Sequence, residues 1–166
     1  MISTFLARKI DLEPLKEHFF KNNTKSKLFL LQKALSTLNF HENNRVVFMK
    51  LTKQDFINTD STFEDSIGIV NHGVEIKGVD IAIITIKQAD NSYYVSLRSK
   101  NNINVGTIAE QLGGGGHEHV AALQYDGPLP ELRDKLLKAC REELAKHPAD
   151  EISPDNLFSD NNELDN

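Results

Sequence analysis

The stretch Gly78-Val-Asp-Ile-Ala-Ile-Ile-Thr-Ile86 is nearly all apolar, and Tyr93-Tyr-Val-Ser-Leu-Arg-Ser99 follows it across Ala89-Asp-Asn-Ser92. Two β-rich runs separated by turn-forming residues predict a hairpin. Its second strand alternates, with Val95 and Leu97 on one face and Tyr94, Ser96 and Arg98 on the other. Helical patterns stand before and after it. Thr24 or Ser26 caps a helix in which Leu28, Leu31, Leu35 and Leu38 recur at helical spacing. Pro130 to Lys146 reads as an amphipathic helix with Leu132, Leu136, Leu137, Cys140 and Leu144 inward. Strands mixed with helices around a central hairpin predict the α/β class, a mixed β-sheet with helices packed on it.

Shorter elements fill the rest. Asp11-Leu-Glu-Pro14 opens a helix to about Phe20. Arg45 to Leu51 is a strand that follows the turn-like His41-Glu-Asn-Asn44. Ser61-Thr-Phe-Glu64 fits a capping box for a helix to about Asn71, stopped by His72-Gly73. Val105 to Leu112 fits a two-turn helix, His117 to Leu123 another short one, and Gln124-Tyr125 a last strand.

Between those two helices four of the nine glycines, Gly113 to Gly116, stand side by side, followed by His117 and His119. Glycine loses more backbone freedom on folding than any other residue, so such a run is unfavourable unless something must approach the main chain closely. A glycine-rich loop leading into a helix N-terminus offers N–H groups and a positive dipole end to an anion. Arg98 adds a forked permanent cation, Ser99 a neutral hydrogen bond and His117 a ring N–H donor. The candidate phosphate-binding set is therefore Arg98, Ser99, Gly113, Gly114, Gly115, Gly116 and His117. No Lys-Ser or Lys-Thr follows the run and no G-x-G-x-x-G spacing precedes it, which excludes the Walker A and dinucleotide-binding loops. His117, Glu118 and His119 lack the further Cys or carboxylate partners of a three- or four-ligand metal site. Glu64 and Asp65 read as helix-start acids, and Tyr93 and Tyr94 either as a base-stacking face or, as is usual in a hairpin, as packing.

The chain has 166 residues, enough for one domain with appendages. No apolar stretch approaches the ~20 residues of a membrane span, and the single Cys140 allows no internal disulfide, so a reducing cytoplasm is the expected setting. The net charge of −5 is concentrated at the end: residues 148–166 carry six acids and no Lys or Arg. With those set aside, 18 of the 24 acids face all 19 bases, so the body is near neutral. Residues 148–166 read as a solvated acidic tail.

Leu112-Gly-Gly-Gly-Gly-His117 followed by Ala121-Ala122, with Val95-Ser-Leu-Arg-Ser-Lys100 and Asn104-Val105 upstream, resembles the DHH-associated domain. This is the C-terminal half of the DHH phosphoesterases, which include nano-RNases, pAp phosphatases and cyclic-di-AMP phosphodiesterases. The likeness spans roughly residues 25–145, and Thr59 to Asn71 and Ile76-Lys-Gly-Val79 resemble the nano-RNase branch. Three residues between His117 and the alanine pair match instead the longer spacing of the cyclic-dinucleotide phosphodiesterases. The resemblance implies a domain that grips the phosphate or terminal nucleotide of a short RNA or dinucleotide, through Arg98, Ser99 and the loop Gly114 to His117. In that family the metals, usually manganese, sit in a separate catalytic domain bearing Asp-His-His. No such tripeptide occurs here. The chain alone is thus expected to be inactive and to work with a DHH catalytic domain in cis or in trans, and a homodimer is compatible with this reading. The rival expectation is a stand-alone RNA-binding or protein-interaction module of the same shape, like the similar domain at the end of alanyl-tRNA synthetase.

Overall fold

The computed structural model describes residues 24–148. In chain order these form α1 (Lys25–Leu35), β1 (Asn39–His41), β2 (Val46–Leu51), α2 (Lys53–Thr59), a 3₁₀ turn (Phe63–Ser66), α3 (Ile69–Val74), β3 (Ile81–Ala89) and β4 (Ser92–Ser99). Then follow α4 (Val105–Gln111), β5 (Gly115–His117), β6 (Val120–Asp126) and α5 (Leu129–Ala145). The strands make one sheet in the order β1-β2-β3-β4-β6-β5, with β2 and β3 parallel and every other pair antiparallel.

The apolar hairpin strand explains this layering. Ile81 and Ile83 point to one face of β3, while Ala82, Ile84 and Ile86 point to the other, and all five are buried. A strand buried on both sides needs a cover on both sides. On the first face α4 and α5 pack onto Val46, Phe48, Val95, Leu97, Ala121 and Leu123. On the second, Leu30 and Ala34 of α1 and Ile69 and Val70 of α3 pack onto Val47, Met49 and Leu51 of β2 and their β3 neighbours. Each fully buried Leu or Ile contributes on the order of 1.5–3 kcal/mol against the chain entropy. The inward stripe of α5 is Leu132, Leu136, Leu137, Cys140 and Leu144, as its spacing predicts.

Thr24 caps α1 by accepting from the Lys27 amide. A full capping box between Thr52 and Asp55 starts α2, a helix absent from the sequence reading. The helix expected from Ser61 to Asn71 is two pieces. Its capping box joins Thr62 to Asp65, and the extended Ile67 and the left-handed Gly68 (φ 87) interrupt it before α3 begins. A larger correction falls on residues 117–123, expected as a helix opened by the glycine loop. They belong to the β5–β6 hairpin, so the glycine run leads into a strand and not into a helix N-terminus. Ala and Leu here yield to pairing with β4, which extends from Ser92↔Asp126 to Arg98↔Val120. The expected helix from Asp11 to Phe20 and the acidic tail beyond residue 148 lie outside the described residues.

Candidate functional site

The two faces of the sheet are covered unequally. On the face carrying α1 and α3, no residue of β5 or β6 joins the buried core. Val120 is 47% exposed there, and His117 and Gln124 are exposed as well. The register sets rows of side chains across this open half: Arg98, Val120 and His117 in one, and Ser96, Ala122 and Gly115 in the next. Arg98 and His117 are thus two strands apart, about 10 Å between backbones, with only Val120 between them.

Arg98 is half-buried, and its Nη1 donates to the Leu97 carbonyl at 2.8 Å and to Ser96 Oγ at 3.2 Å. Among the described residues no carboxylate pairs with it. Burial lowers its pKa from the usual arginine value, opposed by Tyr94, yet a guanidinium stays charged at any working pH. A partly desolvated cation without a counter-charge is costly unless an anion joins it. Beside it lies a cleft of about 60 Å³ between β4 and the 3₁₀ turn. Phe63 meets Tyr94 edge-on there, with ring centroids 5.2 Å apart, and Ile67 stands 62% exposed at the rim. The sequence offers Tyr94 either as a base-stacking face or as packing, and gives Phe63 no role. The alternation that puts Tyr94 with Arg98 was the available signal.

The neighbours of Arg98 in sequence do not join it. Ser99 points to the opposite face, as strand alternation requires, and is buried. Its hydroxyl donates to the Ile103 carbonyl at 2.6 Å, with the Glu118 carbonyl at 3.2 Å and His119 Nδ1 at 3.1 Å. It therefore has no proton left for a phosphate on the open face. Lys100 Nζ donates to the Val74 and Ile76 carbonyls at the end of α3.

The glycines divide by role. The amides of Gly113 and Gly114 donate to Glu110 and Ala109 and close α4, so neither is free to hold an anion. Gly113 also takes φ +80. A Cβ on Gly114 would lie 2.4 Å from the Ala122 carbonyl oxygen and Leu123 Cβ; one on Gly116 would lie 2.4 Å from the Val120 carbonyl oxygen and 2.5 Å from Ala121 Cα. These two glycines and the alanine pair opposite let β5 press onto β6. A Cβ on Gly115 would meet nothing within 4 Å, and its φ is ordinary. Gly115 alone in the run is bare without an internal reason, and it lies on the open face.

His117 is exposed, and its backbone is held from behind. Gly106 of α4 sits so close that a Cβ there would come 3.1 Å from the His117 carbonyl oxygen. The Val105 amide donates to Glu118 O at 2.8 Å and the Ser99 amide to His119 O at 3.2 Å. Glu143 of α5, buried, in turn fixes the start of α4: its Oε1 accepts from the Asn104 amide at 3.0 Å and its Oε2 from Lys146 Nζ at 2.6 Å. Burial alone would raise the Glu143 pKa, but Lys146 and the Asn104 amide outweigh it and the net shift is downward. No group of three or more His, Cys, Asp or Glu that could hold a metal ion occurs among the described residues.

Over 118 residues, 70% of this chain and 35% of its own length, the bifunctional oligoribonuclease and PAP phosphatase NrnA of Thermus thermophilus is 29% identical. A membrane protein–large ribosomal subunit bL9 fusion protein of Aster yellows witches'-broom phytoplasma is 50% identical over 54 residues, 32% of this chain and 6% of that protein. The chain thus spans a small part of the length of these relatives. Among solved structures, an exopolyphosphatase-related protein from Bacteroides fragilis shares the fold with a TM-score of 0.69 at 24% identity, over 85% of this chain and 40% of that one. The DHHA1 domain matches residues 32–146, more than half of the sequence, and the chain belongs to that family.

Proposed function

We propose that this chain is the substrate-holding domain of a DHH-type phosphoesterase, binding the phosphate and terminal nucleotide of a short oligoribonucleotide or dinucleotide. The observation that carries the reading is the half-buried Arg98, which has no carboxylate partner among the described residues, in one row with the exposed His117 on the open half of the sheet. A phosphate there gains a charge-assisted contact to a guanidinium whose bonds among the described residues go only to the neutral Leu97 carbonyl and Ser96 hydroxyl. His117 reaches toward the same ligand from the opposite side of Val120. Gly115 leaves the floor between them flat, and the Phe63–Tyr94 edge offers a surface for a base. NrnA, named for oligoribonuclease and PAP phosphatase activity, supports this class of substrate. The bond-breaking step belongs to a catalytic domain that presents its metals to this face.

Calorimetric titration of the full chain with pAp, pApA and cyclic-di-AMP, with and without manganese, tests the proposal. Binding without manganese, weakened about tenfold or more in Arg98→Ala, is the expected result. A pocket that engages one or two phosphates also gives a shallow salt dependence, with a slope of about −0.7 per phosphate, where a surface tracking long RNA gives a steep one. Affinity indifferent to Arg98, or a steep salt slope with long RNA preferred, would overturn the assignment in favour of a stand-alone RNA-binding module.

A further inference from the structure

Ser99 occupies an unusual junction. Its amide donates to His119 O and its hydroxyl to Ile103 O, and with that proton committed the ring nitrogen His119 Nδ1, 3.1 Å away, is the donor to Ser99 Oγ. The residue therefore grips His119 at two points, main chain and ring. The Glu118-His119 turn that it grips is the tip of the β5–β6 hairpin, and His117 is the last residue of β5 before that tip. From the same face of the sheet α4 also holds this turn, through Val105 N–H on Glu118 O and through the close approach of Gly106 to His117 O. β5 has only three residues and, among the described residues, no strand on its outer edge, so its own pairing to β6 is a weak constraint on where His117 stands.

We propose that Ser99 is a positioning residue: it touches no ligand, and it locks the hairpin tip so that His117 stands on the open face in the row of Arg98. The proposal rests on the binding role of Arg98 and His117 given above. It reverses the direct phosphate contact that adjacency to Arg98 suggests, because the hydroxyl lies on the far side of the sheet. Ser99 and His117 then act on a ligand as one unit, whereas Ser99 and Arg98 act separately.

Two measurements on the full chain test this. In the absence of ligand, amide hydrogen exchange at positions 99 and 105, whose N–H groups donate to His119 O and Glu118 O, should speed up at least tenfold in Ser99→Ala while the amides of β3 and β4 up to Leu97 keep their protection. Gly106→Ala, which crowds the His117 carbonyl without touching Ser99 or the open face, should loosen the same two contacts and serves if Ser99→Ala fails to fold. With pApA as the probe, a double-mutant cycle should show Ser99→Ala weakening binding by about fivefold to tenfold in wild-type and Arg98→Ala backgrounds but less than about twofold on Ser99→Ala/His117→Ala against His117→Ala. Equal losses in all three backgrounds would mean that Ser99 contacts the ligand or acts generally, and would overturn the proposal. Unchanged exchange at 99 and 105 in Ser99→Ala, or in Gly106→Ala where Ser99→Ala does not fold, would overturn it too, whether or not pApA binds. Wild-type failure to bind pApA, with exchange behaving as expected, would leave the locked turn standing and remove the binding role instead.

Discussion

Gly115→Ala separates what the ligand needs from what the fold needs. The new methyl meets no atom within 4 Å and the backbone φ is one alanine adopts, so the folded state accepts it without strain. The unfolded chain meanwhile loses freedom, and such replacements stabilise by about 0.4–1 kcal/mol. For a domain of this size that raises the midpoint of thermal unfolding by about 1–5 °C. The methyl projects from the open face in the row of Ser96 and Ala122, next to the row of Arg98 and His117. A ligand seated there must lift off the sheet or give up a contact, at a cost on the order of 1–3 kcal/mol, which is about tenfold or more in affinity. Gly116→Ala is the control. Its Cβ would stand 2.4 Å from the Val120 carbonyl oxygen, and opening the hairpin to admit it should cost about 1–3 kcal/mol of stability. Thermal unfolding and calorimetric titration with pApA on the two variants give the answer. Should Gly115→Ala destabilise the fold as Gly116→Ala does, or bind pApA as the wild type does, the reading of the open face is wrong.

The buried groups behind the site make further predictions. The folded-state pKa of Glu143 lies below its unfolded value, so its ionised form contributes stability that is full above the unfolded pKa and lost as pH falls through the folded one. Glu143→Gln should therefore cost about 1–3 kcal/mol at pH 7, and its deficit relative to wild type should shrink below about pH 4.5 in urea denaturation series; a deficit constant down to pH 3 would contradict this. Burial pushes the Cys140 thiol up to about 12, so iodoacetamide at pH 8 should modify it only as fast as the protein unfolds, and rapid native-state labelling would place Cys140 outside the core.

Local periodicity carried the centre of this fold. The β3–β4 hairpin, the sides taken by Val95, Leu97, Tyr94, Ser96 and Arg98, and the inward stripe of α5 all follow from side-chain spacing and turn residues within one element. Elements that depend on distant partners were hidden. Nothing in Asn39-Phe-His41 marks a strand until Val46–Phe48 lies beside it. Glycines rank low as strand formers, yet Gly115 and Gly116 become one because Ala122 and Ala121 stand opposite and allow close backbone approach. The capping box of α2, Thr52 with Asp55, was legible and unread. At the site, Arg98 and His117 were named from chemistry, but the partnership of Arg98 with Ser99 contradicted the alternation already drawn for that strand. The amides of Gly113 and Gly114 were assigned to an anion because the end of α4, which consumes them, was not weighed against it.

The outermost strands of the sheet, β1 and β5, are three residues each, and the left-handed Glu42, Asn43 and Asn44 turn the chain away as soon as β1 ends. Edges this short present too few free main-chain groups to recruit another strand. Association by sheet extension, which any exposed backbone can drive regardless of sequence, is thereby disfavoured at the two outer strands of the described residues. A partner bound as proposed lands instead on side chains, on the half-face between Tyr94 and His117, where discrimination between a cognate surface and any other depends on which residues are there.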